Sequence, residues 1–466
     1  MNGLDRLLKI SMLGTVLVAV ASGCEPRKPN SERGPAPAAL ERAVDDLLSP
    51  LVQADIISGV VLVAKGDRVL LSKGYGLADR DEGIPNGPLT QYPIGSNTKS
   101  FTAVATMMLA ERGLLNLEDP ISTFLPDFPN GEDITVQHLL SNTSGIRSYV
   151  YLPEYREMLE RDPSPGLQEI IDWFKVAPPE SSPGESFSYS NSNFVLLTAI
   201  IEKVSGQDYG SFLRENILRP AGMTHTGLDF SEATNPATGY SHTDYGVLEA
   251  ATPEPPFGIG DGGLFSTAED LLRWSRILRT ERILSEESEN LMFRKHSEYY
   301  GLGWMIHNRF GRTVIHHGGA VFGFMSDIQY VREEDVTVIT LYNMDCLLEG
   351  RIDQALVALV LGEDPEPLFK TQDADILDTF RDLSGRYSVG GADSIRVSVE
   401  GGSIWIQETG RPKVAARALS SDQLYLDEVN AILRFEPETQ DEPARLTAHF
   451  GLFLVTGERP PVNVEQ

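Results

Sequence analysis

Ser96 and Lys99 stand three residues apart in Gly95-Ser96-Asn97-Thr98-Lys99. On a helix that spacing places a hydroxyl and an amine on one face. A serine hydroxyl is a weak nucleophile near neutral pH until an adjacent base takes its proton. A lysine becomes such a base when burial or neighbouring positive charge lowers its pKa. A helix beginning at Ser96 also aims main-chain N–H groups at negative charge developing there. No other lysine in the chain has a serine three places before it.

Two further stretches carry groups suited to the same chemistry. Phe187-Ser188-Tyr189-Ser190-Asn191 contains Tyr-x-Asn. A phenol beside a cationic lysine can relay a proton, and an amide can orient the lysine by hydrogen bonding. Read alone, the stretch is a polar turn rich in Ser and Asn ahead of a helix. Ile315-His316-His317-Gly318-Gly319-Ala320-Val321-Phe322-Gly323-Phe324 reads as a strand closing in Gly-Gly. Such an end lets a substrate main chain approach and offers it N–H groups. Read alone, it is equally a strand end with two surface histidines. Asp261, before Gly262-Gly263, could project into a cleft, but it is read as a turn cap and left out of the site.

The elements that must hold these groups follow from periodicity. Gly59 to Ala64 and Arg68 to Ser72 read as two strands joined by a Gly/Asp turn. Ser96 to Leu114 reads as a helix, with Phe101, Val104, Met108 and Leu109 at helical spacing. Helical pieces fill the middle of the chain. Phe194 to Val204 is apolar nearly all round and ends at Gly206. Ser266-Thr267-Ala268-Glu269 reads as a capping box. Strands return at Thr313 to His317, Met325 to Val331 and Val336 to Tyr342, and Ala355 to Leu361 closes the region as a helix. If both strand groups share one antiparallel sheet, the inserted helices form a second lobe, with a cleft between them for chemistry. The fold class is therefore α/β (α+β) over residues 45–371. Residues 372–466 offer about eight short strand candidates at the spacing of a small all-β barrel or sandwich.

The chain has 39 Lys plus Arg against 67 Asp plus Glu, a net charge of −28. No basic surplus exists to neutralise phosphates, which argues against a nucleic-acid partner. Arg6 and Lys9 precede an apolar stretch from Ile10 to Val20, then Ala21-Ser22-Gly23-Cys24. A basic start, a short apolar core and small residues describe a secretory signal over residues 1–23, too short for a spanning helix. The small residues ending in Cys resemble a bacterial lipobox, which implies lipidation of Cys24; plain cleavage near Gly23 is the alternative. Residues 24–44 read as a flexible tether. Membrane contact is expected through the lipid anchor only, at the periplasmic face. Cys346 is then left without a partner for a disulfide. No His/Cys cluster has metal-ligand spacing, and no metal or organic cofactor is expected.

The ordered set Ser-x-x-Lys, Tyr-x-Asn 93 residues on and His-x-Gly 128 further on resembles the β-lactamase and penicillin-binding-protein superfamily, nearest its class C-like branch. His138-Leu139-Leu140-Ser141-Asn142-Thr143-Ser144-Gly145, Gly262-Gly263-Leu264-Phe265-Ser266-Thr267 and Tyr300-Gly301-Leu302-Gly303-Trp304 agree with it. The tail resembles the lipocalin-like β domain appended to such hydrolases. The resemblance implies a two-lobe fold with Ser96 as acylated nucleophile and Lys99 as proton acceptor. It implies that Tyr189 shuttles the proton and that Asn191 holds Lys99 and contacts substrate. The N–H groups of Ser96 and Ala320 would form the oxyanion hole, and His317 or Gly319 would line the substrate strand. His316-His317-Gly318 satisfies His-x-Gly as well; His317 is chosen because Gly323-Phe324 then falls at the family's usual distance.

His317 stands where β-lactamases carry the lysine of Lys-Thr-Gly, so strong β-lactamase activity is not expected. A histidine with an ordinary pKa near 6.5 would gain charge between about pH 8 and 6 and draw in substrates with a free carboxylate. The expected activity is an acyl-enzyme hydrolase of D-amino-acid peptides or esters, acting on a small-molecule or peptide substrate. The alternative is a non-catalytic protein that binds peptidoglycan or a peptide.

Overall fold

Val60 to Ala64 is an uninterrupted apolar run, and a strand of that composition must be covered on both faces. A computed structural model of the chain shows how. It describes residues 35–459 apart from 154, 156–164, 244–245, 251–258, 280–282, 322, 391–392, 440–442 and 451–452. The signal segment and Cys24 lie outside the described residues.

Six antiparallel strands form the central sheet: β1 (Gly59–Lys65), β2 (Arg68–Tyr75), β3 (Met305–Arg309), β4 (Arg312–Val321), β5 (Phe324–Val331) and β6 (Val336–Tyr342). Their order is β2-β1-β6-β5-β4-β3, so the first and last strand groups meet where β1 pairs with β6. The helices that pack on the sheet or form the cleft are α1 (Pro37–Gln53), α2 (Thr98–Glu111), α3 (Asn191–Ser205), α4 (Ala268–Leu278) and α5 (Glu349–Leu361). Alternate residues of β1 point to opposite layers. Val60, Leu62 and Ala64 join a core with Phe101, Leu271 and Trp274. Val61 and Val63 join another with Leu40, Val44, Leu48, Leu356 and Val360.

The expected flexible tether over 24–44 is corrected in its last third. Residues 37–44 are the first turns of α1, with Pro37 at its start. Leu40, Val44, Leu48 and Leu51 recur at i, i+4, i+8 and i+11, and all four are buried against the back of the sheet. The expected capping box is corrected to a single N-cap bond, one residue later. Thr267 is the N-cap of α4 and its hydroxyl accepts from the Asp270 N–H, while Ser266 pairs with Tyr92 in a short ladder.

The tail forms a closed meander of eight strands, running from Gly385–Gly390 to Phe453–Glu458 and closed by Ser388 against Glu458. It has its own core, including Tyr387, Val397, Leu433, Phe435 and Leu446, capped by Leu377 and Phe380 of the helix Ala374–Asp382. Leu419 and Tyr425 of the barrel also enter the core behind the sheet. There Asn430 accepts from the Leu347 N–H and donates to the Asp345 carbonyl.

Candidate active site

The approach to α2 is tighter than a plain helix start. Gly95–Asn97 is a 3-10 turn, and α2 begins at Thr98. Gly95 has φ +48°, and a Cβ there would stand 2.8 Å from the Ala320 nitrogen. Across the gap, a Cβ on Gly319 would stand 2.1 Å from the Ile94 carbonyl and 2.8 Å from the Ser96 nitrogen. Only glycine at both places lets the two main chains touch, which sets the N–H groups of Ser96 and Ala320 beside one another. Side chains lock this junction. Asn97 donates to Ser326 Oγ at 2.7 Å, and Ser326 Oγ donates to the Ile94 carbonyl at 2.7 Å. Phe101 stacks on Trp274 with centroids 4.0 Å apart, a pairing that adds about 0.5–1.5 kcal/mol to its burial. Trp274 in turn donates to Ser100.

Lys99 is fully buried, and its ammonium donates to Ser96 Oγ at 2.9 Å and to the Asp261 carbonyl at 2.6 Å. The rings of Tyr189 and Phe194 lie 5.1 and 5.6 Å from its Nζ. Burial pulls the Lys99 pKa down to about 8, against an opposing pull from the Asp261 charge. Tyr189 shares a hydrogen bond with Ser96, and burial holds its phenol well above the usual range. The two candidate proton acceptors are thereby ranked: near neutral pH the amine can release its proton and the phenol cannot. The arrangement can pass the Ser96 proton to Lys99 and use Tyr189 as a neutral relay.

Asn191, read as the group that holds Lys99, does not bond it. It is half-buried at the first position of α3, and its main-chain N–H donates to Ser148 Oγ. The Asp261 carbonyl takes that place, from a residue the sequence reading set aside as a turn cap. The signal available was Asp261-Gly262-Gly263 itself, but no local spacing links residue 261 to residue 99.

The two histidines separate to opposite faces of β4. His316 packs behind the sheet, 3.5 Å from Asp327. His317 is fully buried on the cleft side, with Nε2 3.2 Å from the Tyr300 hydroxyl and Nδ1 2.7 Å from the Gly318 carbonyl. Its ring lies 6.3 Å from that of Tyr189. Burial, with the Lys99 charge adding to it, pushes the His317 pKa down to about 3. The expected gain of charge between pH 8 and 6 is therefore corrected: the imidazole is neutral throughout that window, because it is dry and stands near a cation. Gly319 lies in β4 opposite Ser326, and Ala320, the next residue of the strand, is exposed. Among the described residues no group of three or more His, Cys, Asp or Glu side chains is placed to hold a metal ion.

A family model described as Beta-lactamase matches residues 41–361. A protein of Bacillus subtilis described as "Putative penicillin-binding protein PbpX" is 32% identical over 252 residues, which are 53% of this chain and 62% of that protein. This chain thus matches less than two thirds of that relative's length. Among solved structures, an octameric penicillin-binding protein homologue from Pyrococcus abyssi superposes with a TM-score of 0.67 at 27% identity, over 90% of this chain and 99% of that one. A D-stereospecific amidohydrolase from Streptomyces sp. superposes with a TM-score of 0.59 at 28% identity, over 65% and 95%.

Proposed function

The chain belongs to the Beta-lactamase family, whose fold is that of serine hydrolases, and from that premise we propose that it cleaves amide or ester bonds through an acyl-enzyme on Ser96. The observation that carries this reading is the buried Lys99 amine, 2.9 Å from Ser96 Oγ and held near pKa 8. Ser96 attacks the carbonyl as Lys99 takes its proton; the bond to the leaving group then breaks as Tyr189 gives that group its proton and takes the one held by Lys99. The N–H groups of Ser96 and Ala320 face the oxyanion. Water then releases the acyl group by the reverse relay. D-Amino-acid amides or peptides, or esters, are the proposed substrates, supported by the likeness to the D-stereospecific amidohydrolase. Penicillins and cephalosporins carry a carboxylate, and the neutral His317 offers it no fixed charge, so β-lactam turnover is weak or absent.

A substrate panel tests this reading. D-Amino-acid amides and p-nitrophenyl esters are expected to turn over well ahead of a chromogenic cephalosporin. For a carboxylate-bearing substrate and its methyl ester, the ratio of kcat/KM is expected to stay flat from pH 6 to 8, since His317 does not titrate there. Preferred turnover of the cephalosporin would reject the substrate class, and a ratio that rises as pH falls would show that His317 titrates near neutrality.

From the basic, apolar and small-residue run that ends in Cys24 we further propose a lipoprotein on the periplasmic face, anchored through Cys24, with plain cleavage near Gly23 as the alternative. Cys24→Ser is expected to move the protein from the membrane to the soluble fraction. Unchanged partitioning, read by fractionation and immunoblot, would reject the anchor.

A further inference from the structure

Asp261 is only 4% exposed, yet among the described residues its carboxylate has a single partner besides its own backbone. Tyr149 Oη donates to Oδ2 at 3.0 Å, while Oδ1 is buried without a partner. An isolated buried carboxylate is costly, and its persistence beside the reacting groups calls for a role. A turn cap would spend its oxygens on nearby main-chain N–H groups. Asp261 instead reaches a phenol 112 residues away. Tyr149 is itself fixed, its N–H donating to Ser192 Oγ of α3 and its ring stacked with Phe174. The carbonyl of the same Asp261 accepts from Lys99 at 2.6 Å. One residue therefore grips the amine through its main chain and carries a carboxylate whose pKa burial raises, while the Lys99 charge and the Tyr149 donor pull it back toward the ionised form.

We propose that Asp261, braced by Tyr149, is a positioning residue that steadies Lys99 and stabilises the ammonium formed when Lys99 takes the Ser96 proton. This rests on the acyl-enzyme reading above. When the O–H bond of Ser96 breaks as its oxygen attacks, the proton bonds to Lys99 Nζ and a positive charge appears in a dry site. The Asp261 carboxylate is the negative charge placed to meet it. Among the described residues, the other titratable groups around Lys99 do not supply one. Tyr189 before α3, Tyr149 and Tyr155 in the helical lobe, and Tyr209 all have phenols held neutral by burial, and His317 on β4 is neutral. The Asp261 charge acts on Lys99 to raise its pKa, against the larger effect of burial.

The sign of the test follows. Asp261→Asn keeps the shape and the carbonyl but removes the charge, so Lys99 loses its proton more easily and becomes a weaker base. The readout is the pH dependence of covalent labelling of Ser96 by a fluorophosphonate, which needs no knowledge of the natural substrate. The acid limb is expected to move to lower pH by about one unit or more, with the plateau rate falling about tenfold. Tyr149→Phe, which removes the donor that favours the carboxylate, is expected to give a smaller shift in the same direction. A purely structural role would lower the rate without moving the limb. Labelling at Ser96 with an unmoved limb in a normally melting Asp261→Asn protein overturns the proposal. Should that variant not fold, an unmoved limb in Tyr149→Phe overturns it. No labelling of Ser96 in the unmutated protein overturns the hydrolase reading, and this role with it.

Discussion

Ser96→Ala is expected to abolish turnover and covalent labelling while changing stability by less than about 1 kcal/mol. The substitution removes one half-buried hydroxyl from a turn whose fold rests on other contacts. Gly95 and Gly319 set the main-chain approach, Asn97 and Ser326 tie it, and Phe101 on Trp274 anchors the helix behind it. None of these involves Ser96 Oγ. Mass spectrometry after fluorophosphonate treatment is expected to place the adduct on Ser96 in the unmutated protein and nowhere in the variant. An adduct on Ser190 or Ser266, or full activity without the hydroxyl, would reject the assignment.

The second large effect is at Lys99, where methionine tests the base better than alanine. Lys99 is wholly buried, and truncation would leave a cavity whose cost confuses the reading. Lys99→Met keeps most of the volume and removes the amine. Turnover is expected to fall by roughly 10²–10⁴, the usual contribution of a positioned general base. The pH profile separates this from damage. Above about 8 the unmutated amine is neutral and accepts the Ser96 proton. Below that it is an ammonium, and kcat/KM falls about tenfold per pH unit. The variant, with nothing to titrate there, is expected to lose that limb. A surviving limb at the same pH would mean that another group activates Ser96.

Several features were legible in the sequence because they depend on neighbours in the chain. Ser96 and Lys99 meet because helical geometry brings i and i+3 together, and the 3-10 turn at Gly95–Asn97 changes only the pitch of that approach. The two-sided strand β1 was visible in its apolar run, and the barrel in its regularly spaced short strands. The helical stripe Leu40, Val44, Leu48 and Leu51 was equally present, but a Pro-rich segment before it drew the tether too far.

What the tertiary structure decided is the chemistry that burial controls. Lys99 spans 162 residues to reach the Asp261 carbonyl, and Asp261 reaches back over 112 to Tyr149. His316 and His317 are identical neighbours in sequence, yet one faces Asp327 behind the sheet and the other faces Tyr300 in the cleft. A residue type sets which protons can move. Whether they do near neutral pH depends on the water and charge left around the group once distant segments close over it, and local spacing carries no record of that.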